Sequence, residues 1–399
     1  MHLTPEEHAL LAGERGPAAQ KAMQILANLG RIYGAERMLP VSSVQIAGVS
    51  YDNLGEAGLA WLAEMASGGG RVQVFTTLNP AGMDVEDYAA LGISEAFAEN
   101  QRRVLDAFTS MGVVTTCSCT PYLFGNLPRF GDHIAWSESS AVCYANAVLG
   151  ARTNREGGPS ALAAALTGRT PAYGYHLDAN RQPTLHVQVT ARLHDTPDFG
   201  ALGKAIGDQM QSAGLSRVPY ITGIEGASLE NLKSFCASIA TFGGIALFHM
   251  PEITPDAGLH APPTEQITIH QHTLDSAKSS LTSASSDEID FLSLGCPHLT
   301  LQEIQLIAKG LAGKQVTREF WITTSRPVKG MADRMGYTAV IEAAGAKFAT
   351  DTCCVVAPIK GRFTALATDS AKACYYAAAK NGFKTRLLSF DDVIAEATQ

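Results

Sequence analysis

No stretch of this 399-residue chain approaches the ~20 consecutive apolar residues that cross a bilayer, and no run of Lys or Arg exceeds two residues. The first absence argues against a membrane span. The second, with a formal charge of −8, removes the electrostatic footprint that a nucleic-acid backbone or an anionic membrane surface requires. Charged residues are scarce at 17%, too few for a disordered chain, while 46% hydrophobic residues supply buried sheets. The opening MHLTPEEHALLAGERG carries acids where a secretory leader carries bases and has no long apolar run, so a cytoplasmic location is expected. A CxxC pair is also missing, which disfavours structural zinc. In a reducing compartment the eight cysteines are then either inert core residues or metal-binding and catalytic groups.

What is present is an alternation of short β-rich runs with Ala/Leu-rich helical stretches. The runs include VSSVQIAGV, RVQVFTTLN, GVVTTCSCT, LHVQVTARL, GIALFHMPE, DFLSLGCP, EFWITTS and FATDTCCVV. Between them lie helical patterns such as GEAGLAWLAEMASGG and SEAFAENQRRVLDAFTSMG, the latter closed by a Gly stop signal. This rhythm predicts a multidomain α/β protein with largely parallel sheets flanked by helices. The turn-rich stretch at 168–184 and the Pro-rich stretch at 250–266 divide it into 1–170, 171–275 and 276–399. The Ser-rich LDSAKSSLTSASSDEIDF is read as a polar-faced helix rather than a linker.

Three cysteines sit where strands should end. Cys119 precedes Pro121, Cys296 is wedged between Gly295 and Pro297-His298, and Cys353 follows Asp351-Thr352. In parallel α/β sheets ligands bind outside the carboxyl ends of the strands, so these thiols can converge. Cys354 would point to the opposite face from Cys353, while Cys143, Cys236 and Cys374 fall inside apolar helical patterns and read as core. Three soft thiolates suit iron or an iron–sulfur cluster and leave one coordination position open. Spacing alone does not separate that reading from three buried core thiols.

The block CTPYLFGNLPRFGDHIAWSESSAVCYANAVLGARTNREGG (119–158), with TTLNPAGMD, LGCPHLTLQEI and ATDTCCVVAP, resembles the large subunit or large domain of aconitase X. The resemblance covers nearly the whole chain. It implies an aconitase-like architecture with an iron–sulfur cluster or a mononuclear iron held by Cys119, Cys296 and Cys353. It also implies a hydro-lyase acting on a small hydroxy acid: cis-3-hydroxy-L-proline as the first expectation, 5-phosphomevalonate as the alternative. Where family members often carry Ala-His-Ile, this chain has Gln45. The family's small swivelling domain, the source of the catalytic serine, has no counterpart here, which implies a small partner subunit.

Dehydration of a β-hydroxy acid needs a base for the α-proton, a Lewis acid for the hydroxyl and donors for the enediolate charge. Within the motifs, Arg152, Asn154 and Arg155 are expected to bind a substrate carboxylate, since the guanidinium fork suits it. Asn79, Ser139, Ser370 and Lys372, at further strand ends and helix starts, are expected to bind substrate as well. Glu138 is expected to be a supporting acid or proton relay, and His298 to orient a ligand or a substrate hydroxyl; His249 reads as structural. Two other readings compete: a non-catalytic iron-binding protein, and a thiol enzyme using Cys296 as nucleophile with His298 nearby.

Overall fold

The strands EFWITT and FLSL are apolar at consecutive positions, the pattern of strands buried on both faces. They form the centre of the largest sheet in the computed structural model, which describes residues 1–212 and 218–399. Thirteen strands are found among the described residues. In the first third of the chain β2 (Ser43–Ile46) pairs in parallel with β3 (Phe75–Leu78) and β4 (Ala135–Trp136), while β1 (Met38–Pro40) and β5 (Arg169–Pro171) form an antiparallel ribbon. The middle third has three parallel strands in the order β7-β6-β8, with β6 at Leu185–Val189, β7 at Pro219–Thr222 and β8 at Gln266–Ile269. The last third has five parallel strands: β9 (Phe291–Leu294), β10 (Glu319–Thr324), β11 (Lys347–Thr350), β12 (Ala365–Thr368) and β13 (Lys384–Leu387), in the order β11-β10-β9-β12-β13. The expected α/β fold with largely parallel sheets is what the chain adopts. Among the described residues no helix is long and apolar enough to cross a membrane.

The five-stranded sheet is covered differently on its two faces. Phe320 and Ile322 of β10 point into a layer of helices that supply Ile304, Ile307, Val328, Ile341 and Val393. Trp321, on the opposite face, joins Phe291 and Leu366 in a cluster with Met83, Leu91, Ile93 and Ala98. Those last four come from the first third of the chain. The segment 83–98 therefore forms part of the second layer of the last sheet, beside Ala357, Ile359, Ala373 and Phe383 of the last third itself, and the two regions share one core.

In the middle region the helices Thr196–Ser212 and Leu229–Gly243 pack backbone to backbone. A Cβ on Gly207 would stand 2.7 Å from the Gly243 nitrogen, so only glycine allows this approach.

Three local expectations change. GVVTTCSCT makes one isolated parallel bridge, Val114 to Thr77, because Cys117 adopts a positive φ of 45° and breaks the extension. GIALFHMPE likewise contributes only the bridge of His249 to Tyr220. The Ser-rich segment is α-helical only to Ser280, after which Ser283 and Ala284 donate their N–H groups to the Thr385 carbonyl and a short 3-10 turn follows at Ser286–Glu288.

Candidate active site

Parallel strands deliver their following residues to one edge of the sheet, and here two sheets deliver them to one place. β3 runs into Asn79 and β4 into Glu138. β9 leads to Cys296, β11 to Cys353, and β12 to Ser370 and Lys372. Gly295 makes the turn before Cys296 with a φ of 107°. A Cβ there would fall 2.2 Å from the Thr323 carbonyl oxygen, so the turn lies flat on β10. The Cys296–Pro297 peptide bond is cis.

All eight cysteines are free thiols. Cys119 and Cys353 are buried and Cys296 is partly so. The Cys119 thiol accepts a hydrogen bond from the His298 backbone N–H at 3.2 Å. Burial pushes Cys296 up to about 12, the Lys372 ammonium pulling against it and Cys353 adding to it. Burial raises Cys119 as well, helped by Glu138 and Cys353, and raises Cys353 with Lys372 opposing. Each expected thiol thus lies within electrostatic reach of another, around the same ammonium. Cys354 turns away into the cluster of Phe291 and Trp321, and Cys143, Cys236 and Cys374 are buried in helices, as read from the sequence.

Soft thiols that ionise only when a cation accompanies them match iron chemically. Among the described residues, however, no group of three or more His, Cys, Asp or Glu side chains stands in an arrangement that would hold one metal ion. The thiols converge without closing into a single-ion ligand set.

Beside the thiols lies a buried ion pair. Lys372 donates a short hydrogen bond to Glu138 Oε1, and Asn79 Nδ2 donates to Glu138 Oε2 at 2.7 Å. Ser140 Oγ and Ser139 Oγ donate to Oε1 at 3.1 and 3.3 Å. Burial alone would raise the Glu138 carboxyl, but the Lys372 charge and hydrogen bonds from Lys372, Asn79 and the Ser140 backbone N–H outweigh it and hold it at about 2. For Lys372 burial works downward and is overcome by Glu138 and the nearby thiols, which hold the ammonium well above its ordinary value. Ser370 caps the following helix turn, its Oγ accepting from the Ala373 N–H at 3.1 Å, and also hydrogen-bonds Cys296.

His298 connects the three thiol loops. Its Nε2–H donates to the Thr352 carbonyl at 2.9 Å, next to Cys353, which leaves Nδ1 to accept from Ser118 Oγ at 3.1 Å, next to Cys119. Burial lowers its pKa to about 4, so the ring is neutral and both nitrogens are engaged. A second clamp is electrostatic. Arg326 binds Asp351 and Asp84, each at 2.6 Å, while Asp84 accepts from the Thr350 N–H at 3.0 Å and Asp351 O accepts from the Ala81 N–H at 2.9 Å. This ties the NPAGMD loop of the first sheet to the DTC loop of the last.

The remaining expected residues go elsewhere. Arg152 donates to Asp256 at 3.1 Å, to Asp178 at 3.3 Å and to the Gly150 carbonyl at 2.8 Å, contacts on the side of β4 opposite Glu138. Asn154 braces a turn, donating to Tyr173 O and accepting from Tyr175 N–H. The Arg155 side chain is exposed. His249 donates to the Arg181 carbonyl at 2.8 Å, a structural bond.

Sequence reading passed over Lys233. Its buried ammonium, on the helix Leu229–Gly243, donates to the His298 carbonyl at 2.9 Å and pairs with Glu303 at 2.6 Å. A lysine three residues from Cys236 on an apolar helical face was the available signal.

Comparison with known families extends these observations. Residues 1–179, 183–279 and 289–399 match the models of the aconitase X first, second and third domains. The chain is 47% identical over 380 residues to the phosphomevalonate dehydratase large subunit of Methanothermobacter thermautotrophicus, covering 94% of each protein. It is 33% identical over 400 residues to the cis-3-hydroxy-L-proline dehydratase of Pseudomonas aeruginosa, covering 95% of this chain and 67% of that protein. The crystal structure of Thermococcus kodakaraensis aconitase X in its holo form superimposes with a TM-score of 0.93 at 44% identity over 100% of both chains.

Proposed function

The chain belongs to the aconitase X family, and on that premise we propose that it is the large subunit of a phosphomevalonate dehydratase, a hydro-lyase. The observation that carries the reading is one buried ammonium within electrostatic reach of three thiols, Cys296 and Cys353 after strands of the last sheet and Cys119 on the loop that follows the Val114 bridge. Substrate preference shifts from the first expectation. Cis-3-hydroxy-L-proline dehydratase is the name of a relative at 33% identity, whereas a relative matching nearly end to end at 47% is a phosphomevalonate dehydratase large subunit.

5-Phosphomevalonate carries a hydroxyl on the carbon β to its carboxylate. Elimination breaks the α C–H bond, passes its proton to a base, forms the C=C bond and expels the hydroxyl as water once protonated. Iron on Cys119, Cys296 and Cys353 would supply the Lewis acid for that hydroxyl, and a cluster, which spreads its cysteines over several irons, suits thiols that do not close round one ion. Lys372 and Asn79 face the same carboxylate of Glu138 and are the donors for the substrate carboxylate and its enediolate charge. Ser139 and Ser370 flank them.

We assign the base to a partner, with Asp369, which burial raises to about 7 and which lines one cavity with Cys296 and Ser370, as the alternative within this chain. Glu138 is held at about 2, Lys372 stays protonated, and both His298 nitrogens are committed. A small subunit carrying a catalytic serine fills that role, consistent with a relative called a large subunit.

The test is anaerobic co-purification with the small subunit and assay of both substrates, with iron and acid-labile sulfide measured alongside Cys296→Ser. Turnover of 5-phosphomevalonate, with iron lost in the variant, is expected. Turnover of cis-3-hydroxy-L-proline alone would overturn the substrate, and a parent protein that binds no iron after reconstitution would overturn the centre.

A further inference from the structure

Gln45 lies in the middle strand of the first sheet, fully buried, between Thr77 of β3 and Trp136 of β4. A primary amide there must satisfy both its ends. Its Oε1 accepts from the Glu138 backbone N–H at 3.2 Å, and its Nε2 donates to the Ser118 carbonyl at 3.1 Å. The orientation is unambiguous, because a flipped amide would set acceptor against acceptor and donor against donor. Its main-chain carbonyl also accepts from the Ser137 N–H at 3.0 Å, so strand and side chain together grip the segment that presents Glu138.

Both partners adjoin site groups. One is Glu138 itself, and the other immediately precedes Cys119. From Ser118 the connection continues through its Oγ to the His298 ring and on to the Thr352 carbonyl beside Cys353. The amide touches neither a thiol nor the Glu138 carboxylate, yet it spans the two loops that carry them.

We infer that Gln45 is a positioning residue, its side-chain amide setting the separation between the Glu138 loop and the Cys119 loop. The inference rests on the reading of this region as the active site. Gln45→Leu keeps the bulk and removes both bonds, leaving a buried N–H and a buried carbonyl unpaired. Gln45→His keeps one donor and one acceptor in its neutral form. Supporting groups of this kind are worth about 10–100-fold in metal affinity or activity.

In the two-subunit enzyme, Gln45→Leu is expected to lower kcat by about 10–100-fold and to speed iron loss to a chelator by a similar factor, with Gln45→His restoring most of both. A third readout needs neither iron nor turnover: alkylation of Cys119 by iodoacetamide in the metal-free chain, followed by peptide mass spectrometry, should accelerate in Gln45→Leu while Cys143 does not change. A folded Gln45→Leu with parental kcat, iron retention and Cys119 reactivity overturns the inference. So does a Gln45→His variant as impaired as Gln45→Leu, since bulk rather than hydrogen bonding would then matter. Should Gln45→Leu fail to fold, Gln45→Glu keeps the acceptor for Glu138 but opposes the Ser118 carbonyl, and parental behaviour in it overturns the inference equally. A parent without iron or dehydratase activity defeats the functional reading instead and leaves the alkylation result to decide on Gln45.

Discussion

Two buried charge clusters stand at opposite ends of the short strand β4. Before it, Arg152 and Arg181 share Asp256, at 3.1 and 2.7 Å, and direct further donors to main-chain carbonyls of Gly150 and Asn146. After it, Lys372 meets Glu138, and the field of its ammonium reaches all three thiols. The first cluster spends guanidinium forks, each with five donors, on protein acceptors and acts as a strut between the first and middle regions. The second uses a point charge whose companion carboxylate is braced by neutral donors, so the ammonium has somewhere to turn when a substrate carboxylate arrives. A buried arginine is therefore no sign of an anion site; what matters is whether its donors are already used.

Breaking one partner in each cluster should separate these roles. Glu138→Gln leaves Lys372 buried without its counter-charge. Stability should drop by about 3–5 kcal/mol, and kcat by about 100-fold, measured by denaturant unfolding and steady-state assay of the two-subunit enzyme. Arg152→Met is milder, because Asp256 keeps Arg181. A stability loss of about 1–3 kcal/mol with kcat per folded molecule within about twofold is expected, and a large fall in kcat would return Arg152 to the substrate.

The smallest effect is one of pH. Glu138 is held at about 2 in the folded protein, below its ordinary value of 4.5. Its contribution is complete above that ordinary value and is lost as pH falls through about 2. The stability gap between parent and Glu138→Gln should accordingly narrow over that window, and a gap independent of pH would sink the ion-pair account.

The same contrast explains what could be read from the sequence. The strand end marked by Gly295 and Pro297 was legible because those residues restrict the backbone locally, and Cys296 came with it; Pro121 marked a break too, but of a loop rather than a strand. The partners of Arg152 were not, since Asp256 is 104 residues away and nothing local distinguishes a paired arginine from one awaiting a ligand. Lys233 escaped for the same reason, and Gln45, although visible as a departure from the family's His, gave no sign of its role: the partners of both are brought in from loops and a helix far along the chain. GVVTTCSCT reads as a strand by composition, but extended propensity yields where Cys117 must turn.

The Glu138–Lys372 pair also has a history within each molecule. Its members are separated by 234 residues of chain. At about 5–20 residues per second of synthesis, the carboxylate leaves the ribosome on the order of 10–50 s before its ammonium. During that interval Asn79 and the Ser139 and Ser140 hydroxyls, all made close to Glu138 in time, are the donors available to it. The neutral brace that shapes the finished site is thus fully synthesised before the charge it helps to balance.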